Sequence, residues 1–121
     1  ADPAWDGRSW IAEDAQGAVA GRFVAVPGHE ARVVEIGYIT CAAWQGRGVA
    51  RECMAALVAQ LFAEGARKLT AEIDAENHAS LRLAEALGFT REALLRAHET
   101  THEGLRDVCL YGLLDSDPRP A

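Results

Sequence analysis

The chain has no run of about 18 consecutive apolar residues, the length needed for a membrane-crossing helix. It also has no apolar segment behind a basic start, the mark of a secretion signal. Basic charge is in deficit. Twelve Lys and Arg against 18 Asp and Glu leave a net charge of −6, and a surface of that sign is unsuited to displacing the counterions of DNA or RNA. Sulfur is sparse. Cys41, Cys53 and Cys109 are odd in number and share no metal-ligand spacing, which argues against a disulfide framework or a zinc ribbon and makes a reduced, cytoplasmic setting the simplest expectation. Internal repeats and low-complexity segments are missing too. The only methionine is Met54, and the sequence opens on Ala1.

What is present fits one globular domain. There are 121 residues, half of them hydrophobic and a quarter charged, enough for a single real core. The acidic balance tolerates cationic partners such as amines or basic proteins. "SWIAEDAQGAVAGRFVAVPGHEARVVEIGYITCAAW" reads as three strands near 9–14, 18–26 and 32–40, with Gln16-Gly17 and Pro27-Gly28 as turns. In "GVARECMAALVAQLFAEG" the apolar pairs 49/50, 53/54, 57/58 and 61/62 recur at helical spacing, and Gly65 stands where a C-terminal cap belongs. "RKLTAEIDA" alternates as a strand. "NHASLRLAEALGF" follows as a short helix capped near Asn77 and ended by Gly88. Two strands near 89–97 and 106–114 close a βββ-α-β-α-ββ order, which predicts a mixed sheet with one parallel crossover. The expected core runs from about 9 to 115, with a frayed tail at 116–121.

"HETTH", residues 98–102, matches the H-E-x-x-H pattern of zinc hydrolases. That chemistry needs both histidines on one helical face and a third protein ligand farther on. The surroundings are poor helix, with β-branched Thr100 and Thr101 and then Gly104. In an extended strand His98 and His102 would lie roughly 13 Å apart. A polar hairpin is the better reading, and no metal is expected.

"QGRGVA", Gln45 to Ala50, lies between a strand and the long helix. Its two glycines admit close backbone approach, the helix start offers free N–H groups, and Arg47 and Arg51 add positive charge. These features suit a pyrophosphate, although a loop that merely turns the chain has the same glycines. It is neither a Walker loop nor a dinucleotide fingerprint, because both spacings are absent.

Gln45-x-x-Gly48-x-Ala50 after a strand resembles the Q/R-x-x-G-x-G/A signature of the GNAT N-acetyltransferase family. "EIGYIT" before it and "AENHASLRLAEALGF" after the next strand are similar to the family pattern in register. "GFTREALLR" and "LRDVCLYGLL" resemble the RimJ/RimL branch, whose members acetylate ribosomal-protein N-termini. The resemblance covers roughly Ser9 to Asp115. It implies a single α/β (α+β) domain over 1–121 with the GNAT fold, a mostly antiparallel mixed sheet whose central parallel strands splay apart. That fold normally opens with another strand and two helices, and this chain is expected to lack them.

Position by position, the resemblance implies that backbone near Ile39, Thr40 and Cys41 pairs with the pantetheine arm of acetyl-coenzyme A. Gln45, Gly46, Arg47, Gly48, Val49 and Ala50, with Arg51 close by, are expected to hold the pyrophosphate. Asn77 would reach the coenzyme arm, or serve as a plain helix cap, or both. Ser80 stands where the branch has a serine near the thioester, and is equally readable as a helix-start hydroxyl. Many family members carry an acid tyrosine at the position held here by Ala84, so Ser80 or a water is the expected substitute. Glu35 is the expected base, with a solvated strand carboxylate as the alternative, and Glu92 and Asp107 are lesser candidates. The expected reaction is acetyl transfer from acetyl-coenzyme A to a primary amine, either a protein N-terminus or a small amine. No nucleic acid, membrane or metal is expected, and a homodimer is left open. The rival reading is a truncated, non-catalytic coenzyme-binding or interaction module.

Overall fold

The structure, a computed structural model, describes residues 8–13, 19–28, 30, 32–40 and 49–118. Its elements are β1 (Arg8–Glu13), β2 (Val19–Pro27), β3 (Val33–Thr40), α1 (Val49–Ala63), β4 (Lys68–Asp74), α2 (His78–Ala86), β5 (Thr90–Thr101) and β6 (Gly104–Leu114). The six strands form one sheet in the order β1-β2-β3-β4-β6-β5. Only β3 and β4 run parallel, joined through α1, and every other neighbouring pair is antiparallel. The element order and mixed sheet agree with the sequence reading.

Local chemistry explains the helix ends. α1 stops at Gly65, whose φ of +110° is open to glycine and strained for other residues. The Ala66 N–H then donates to the Leu61 carbonyl at 3.1 Å and the Gly65 N–H to Phe62 at 3.0 Å. These two bonds satisfy carbonyls that would otherwise end the helix unpaired. α2 repeats the device at Gly88, with Phe89 donating to Ala84 at 3.0 Å and Gly88 to Glu85 at 3.1 Å.

Both helices lie on one face of the sheet. Met54, Leu57, Val58 and Leu61 of α1 and Ala84 of α2, with Leu87 just beyond it, share a core with Phe23, Ala25, Ile36, Leu69, Cys109, Tyr111 and Leu113. Leu69 and Leu113 are 0% exposed. Because side chains alternate along a strand, the intervening residues point to the opposite face. These include Arg22 on β2, Glu35 and Gly37 on β3, and Thr70, Glu72 and Asp74 on β4.

The closing hairpin is longer than its sequence suggested, since β5 reaches Thr101 and β6 begins at Gly104. The turn at its tip is tied by Thr101, whose Oγ1 donates to the Gly104 carbonyl at 3.0 Å and accepts from the Glu103 N–H at 3.1 Å. Nearly all of this end is exposed on both faces. It therefore shows no apolar alternation, and β-branched Thr100 and Thr101 are the only local sign of strand.

Candidate active site

β3 and β4 pair at only three positions, Val33↔Lys68, Val34↔Leu69 and Glu35↔Thr70. Both strands continue beyond that point, β3 to Thr40 and β4 to Asp74. Each remains paired on its other side, β3 with β2 up to Thr40↔Gly21 and β4 with β6 up to Asp74↔Val108. The sheet is therefore split along one line while its flanks stay intact.

The register shows which backbone groups face the split. The Gly28 N–H donates to the Val33 carbonyl at 2.8 Å, so Val33 addresses β2. By alternation Glu35, Gly37 and Ile39 also address β2, whereas Tyr38 and Thr40 turn their N–H and C=O towards β4. Pro27, which has no N–H, falls opposite Val34, where the β2–β3 ladder requires no donor. On β4, Lys68 donates to the Arg32 carbonyl and so addresses β3, which gives Glu72 the same direction. No strand among the described residues pairs with Tyr38, Thr40 or Glu72 on that side. Backbone polar groups away from water seek partners. A slender ligand with its own amides would find them here.

A cavity of ≈ 180 Å³ opens from the split onto the helix face. Ile36 and Gly37 line one wall, Ala71 to Asp74 the other, and Met54, Leu83, Ala84, Leu87 and Phe89 the apolar floor. Asn77 and Ser80 supply the polar corner. The Asn77 Oδ1 accepts the Ser80 N–H at 3.2 Å, which caps α2. The small Ala84 side chain lies on the cavity lining, 6% exposed. Tyr111 supplies no acid to this lining. Tyr111 is buried in the core, where its OH donates to Glu85 Oε2 at 3.0 Å, and burial first and then that bond push its phenol upwards.

Glu35 sits on the opposite face, at the point where the ladder ends. Burial, then a hydrogen bond shared with the Glu72 carboxyl, then the repulsion of that carboxyl, hold Glu35 above the ordinary carboxylate range. A carboxylate raised in this way is a better proton acceptor near neutral pH. Glu72 lines the cavity and was not among the residues singled out in the sequence. Its only local signal is a polar position in an alternating strand, shared with Thr70 and Asp74.

The other candidate residues separate into two groups. Cys41, Gln45, Gly46, Arg47 and Gly48 lie outside the described residues. Val49 and Ala50 begin α1, and Arg51 in its first turn is exposed. Ile39 and Thr40 are in β3, with only Thr40 turned to the split. Glu92 pairs with Lys68 at 2.9 Å, and Asp107 accepts the Ala97 N–H at 2.8 Å, so both lesser base candidates are engaged elsewhere. His98 is in β5 and His102 in the hairpin turn, not one helical turn apart. The His98 Nε2 lies 3.4 Å from Glu72 Oε1, while His102, its side chain 91% exposed, is 3.8 Å from Glu103. Among the described residues no group of three His, Cys, Asp or Glu side chains is placed to hold a metal ion.

Comparison with known proteins agrees with this geometry. An uncharacterized N-acetyltransferase p20 from Bacillus licheniformis is 33% identical over 81 residues, which is 66% of this chain and 46% of that protein. The chain thus spans just under half the length of this curated relative. A spermidine N-acetyltransferase SpeG chimera from Vibrio cholerae and hSSAT superposes with a TM-score of 0.83 at 25% identity, covering 91% of this chain and 70% of that one. A ribosomal-protein-S5-alanine acetyltransferase from Vibrio fischeri shares the fold, with a TM-score of 0.85 at 19% identity over 94% of this chain and 64% of its own. Residues 1–90 match the family described as the acetyltransferase (GNAT) domain. With a split parallel pair, a cavity at the split and a matching sequence over most of its length, the chain belongs to the GNAT acetyltransferase family.

Proposed function

We propose that this chain is an N-acetyltransferase that takes acetyl from acetyl-coenzyme A and passes it directly to a primary amine. The observation that carries the reading is the split between β3 and β4, with its cavity of ≈ 180 Å³. Backbone groups of Tyr38, Thr40 and Glu72 fit the amides of a pantetheine arm, and the apolar floor fits the acetyl end. When bound, acetyl-coenzyme A supplies an activated thioester. The protein's part is to hold amine and thioester in line, which alone lowers a barrier substantially. The loop from Gln45 to Ala50, with Arg51, would take the pyrophosphate. Asn77 would donate to the arm, Ser80 or a water would protonate the departing thiolate, and Glu35 would accept the amine's proton.

The acceptor we favour is a terminal α-amine or a small cationic amine. An α-amine with a pKa of about 7.8 is neutralised at pH 7 for about 1 kcal/mol, against about 4.6 kcal/mol for a lysine side chain near 10.4. A single raised carboxylate is adequate for the first task and weak for the second. The RimJ/RimL-like motifs support a protein N-terminus. The structural neighbour named as a spermidine acetyltransferase supports a small polyamine.

The test is calorimetric titration with acetyl-coenzyme A, followed by thiol release in the presence of N-terminal peptides and polyamines. Micromolar binding with amine-dependent thiol release is expected. Binding without release from any amine would favour the coenzyme-binding module, and no binding would overturn both readings.

A further inference from the structure

The hairpin formed by β5 and β6 contains an irregularity that the acetyltransferase reading leaves unused. Pairing jumps from Leu95↔Val108 to Glu99↔Arg106, leaving three β5 residues against one of β6. Within this bulge Ala97 has φ +47°, a left-handed conformation that costs a non-glycine residue. The strand holds it with a dedicated bond, from the Ala97 N–H to Asp107 Oδ1 at 2.8 Å. Bulges of this kind re-aim a side chain. The side chain that follows is His98, whose Nε2 crosses β6 to lie 3.4 Å from Glu72 Oε1 on β4.

We propose that this bulge seats His98 on Glu72, so that Glu35, Glu72 and His98 form one relay carrying the acceptor's proton from the split to solvent. The inference rests on the acetyltransferase reading. Glu35 stands where the β3–β4 ladder ends, opposite Thr70, and Glu72, two residues further along β4, takes the same face and lies close enough to help hold the Glu35 carboxyl above its ordinary range. His98 is half-exposed and so opens the far end of the chain to water.

The other charged groups on this side have different partners. Arg106 lies between Asp74, Glu76 and Glu103, and Lys68 pairs with Glu92. Asp107 is bound to the bulge itself, and Arg22 is exposed on β2. Among these, His98 is the basic group in contact with Glu72.

The acceptor arrives as an ammonium. One of its protons moves to Glu35, Glu35 passes a proton to Glu72, Glu72 passes one to His98 Nε2, and His98 releases one to water, which leaves all three groups as they began. The freed lone pair forms the C–N bond as the C–S bond breaks. A second amine proton ends on the thiolate, through Ser80 or a water. The balance is one amide, one thiol and one proton released to solvent. In this scheme Glu35 is the group that touches the substrate, and His98 acts through Glu72.

Two measurements test the relay. Carbon-detected NMR titration of the Glu35 carboxyl needs no turnover, and Glu72→Gln should move its midpoint down towards the ordinary range. An unmoved midpoint overturns the shared pair, whatever the enzyme's activity. With an acceptor from the thiol-release panel, His98→Gln should lower kcat about 10- to 100-fold on the acid side of the pH profile. Affinity for acetyl-coenzyme A should stay unchanged, and added imidazole should restore part of the rate. His102→Gln, in the exposed turn, serves as the control and should match wild type. A His98→Gln profile superimposable on wild type, or a uniform loss at all pH values that imidazole does not relieve, removes the relay and leaves the acetyltransferase reading standing. A wild type that binds no acetyl-coenzyme A removes that reading as well.

Discussion

Asn77 is the residue at which stability and ligand binding can be separated by one atom. Its Oδ1 accepts the Ser80 N–H at 3.2 Å, and its side chain lies on the cavity lining. Asn77→Ala removes the cap. A cap is worth about 0.5–2 kcal/mol, and a rather long bond at an exposed position belongs in the lower half of that range. For a domain of 121 residues about 1 kcal/mol corresponds to about 4 °C, so the thermal midpoint should fall by roughly 2–4 °C. Asn77→Asp keeps an acceptor at the same place and adds a carboxylate to a helix N-terminus, which is favourable by about 0.3–1 kcal/mol. Its midpoint should match or slightly exceed wild type. Its coenzyme binding should not, because the amide donor is gone and a negative charge faces carbonyl acceptors. The loss of one hydrogen bond with added repulsion is about 1–2 kcal/mol, or roughly 5- to 30-fold in affinity. Scanning fluorimetry and calorimetry with acetyl-coenzyme A measure the two quantities on the same samples. Wild-type affinity in Asn77→Asp would reduce Asn77 to a helix cap. An unshifted midpoint in Asn77→Ala would show that the cap bond carries no stability.

Gly48→Val should weaken acetyl-coenzyme A at least about tenfold by denying the pyrophosphate its close backbone approach; equal affinity in a folded variant would remove the loop from the site. Leu113→Ala, at a position 0% exposed, should cost about 2–5 kcal/mol in urea unfolding, and a smaller loss would show that the neighbouring core collapses into the space. In the folded chain Glu35 is held above its ordinary value of 4.5, so over the interval above that value the folded state binds more protons than the unfolded one. Stability attributable to Glu35 is therefore lost as pH rises from about 4.5 through the raised value, and Glu35→Gln should gain on wild type from acid towards neutral pH. Parallel stability curves for the two proteins would contradict the burial of Glu35.

The features legible in the sequence were local ones. α1 could be read because Met54, Leu57, Val58 and Leu61 repeat at the helical period, and Gly65 marks the end with a conformation that other residues resist. β4 could be read because Leu69, Ala71 and Ile73 alternate with polar residues, and the structure turns those three towards the core. What was not legible was pairing. "VVEIGYIT" and "LTAEID" alternate smoothly through Glu35 and Thr70, yet the ladder between them stops there. Alternation reports which face a side chain takes and says nothing of whether a neighbouring strand is within reach.

The same distinction governs the chemistry. Glu35 could be singled out by its motif, but Glu72, 37 positions later, becomes its partner only because β3 and β4 lie side by side at the end of their ladder. HETTH shows the converse. Its letters suggested two histidines sharing one ion, and a helix would have brought them together. The hairpin separates them instead, with His98 in β5 and His102 in the turn, and the bulge at Ala97 directs His98 alone towards a carboxylate on β4. A motif constrains chemistry only through the backbone that carries it: at helical spacing the histidines would converge, whereas at strand spacing they face different neighbours. The relevant contact of His98 is therefore set by the register of β5 on β6, and that register turns on three residues whose sequence, Arg96-Ala97-His98, carries no turn signal at all. The stabilising element is Asp107 on the opposite strand, whose carboxylate meets the Ala97 N–H only after the hairpin has closed.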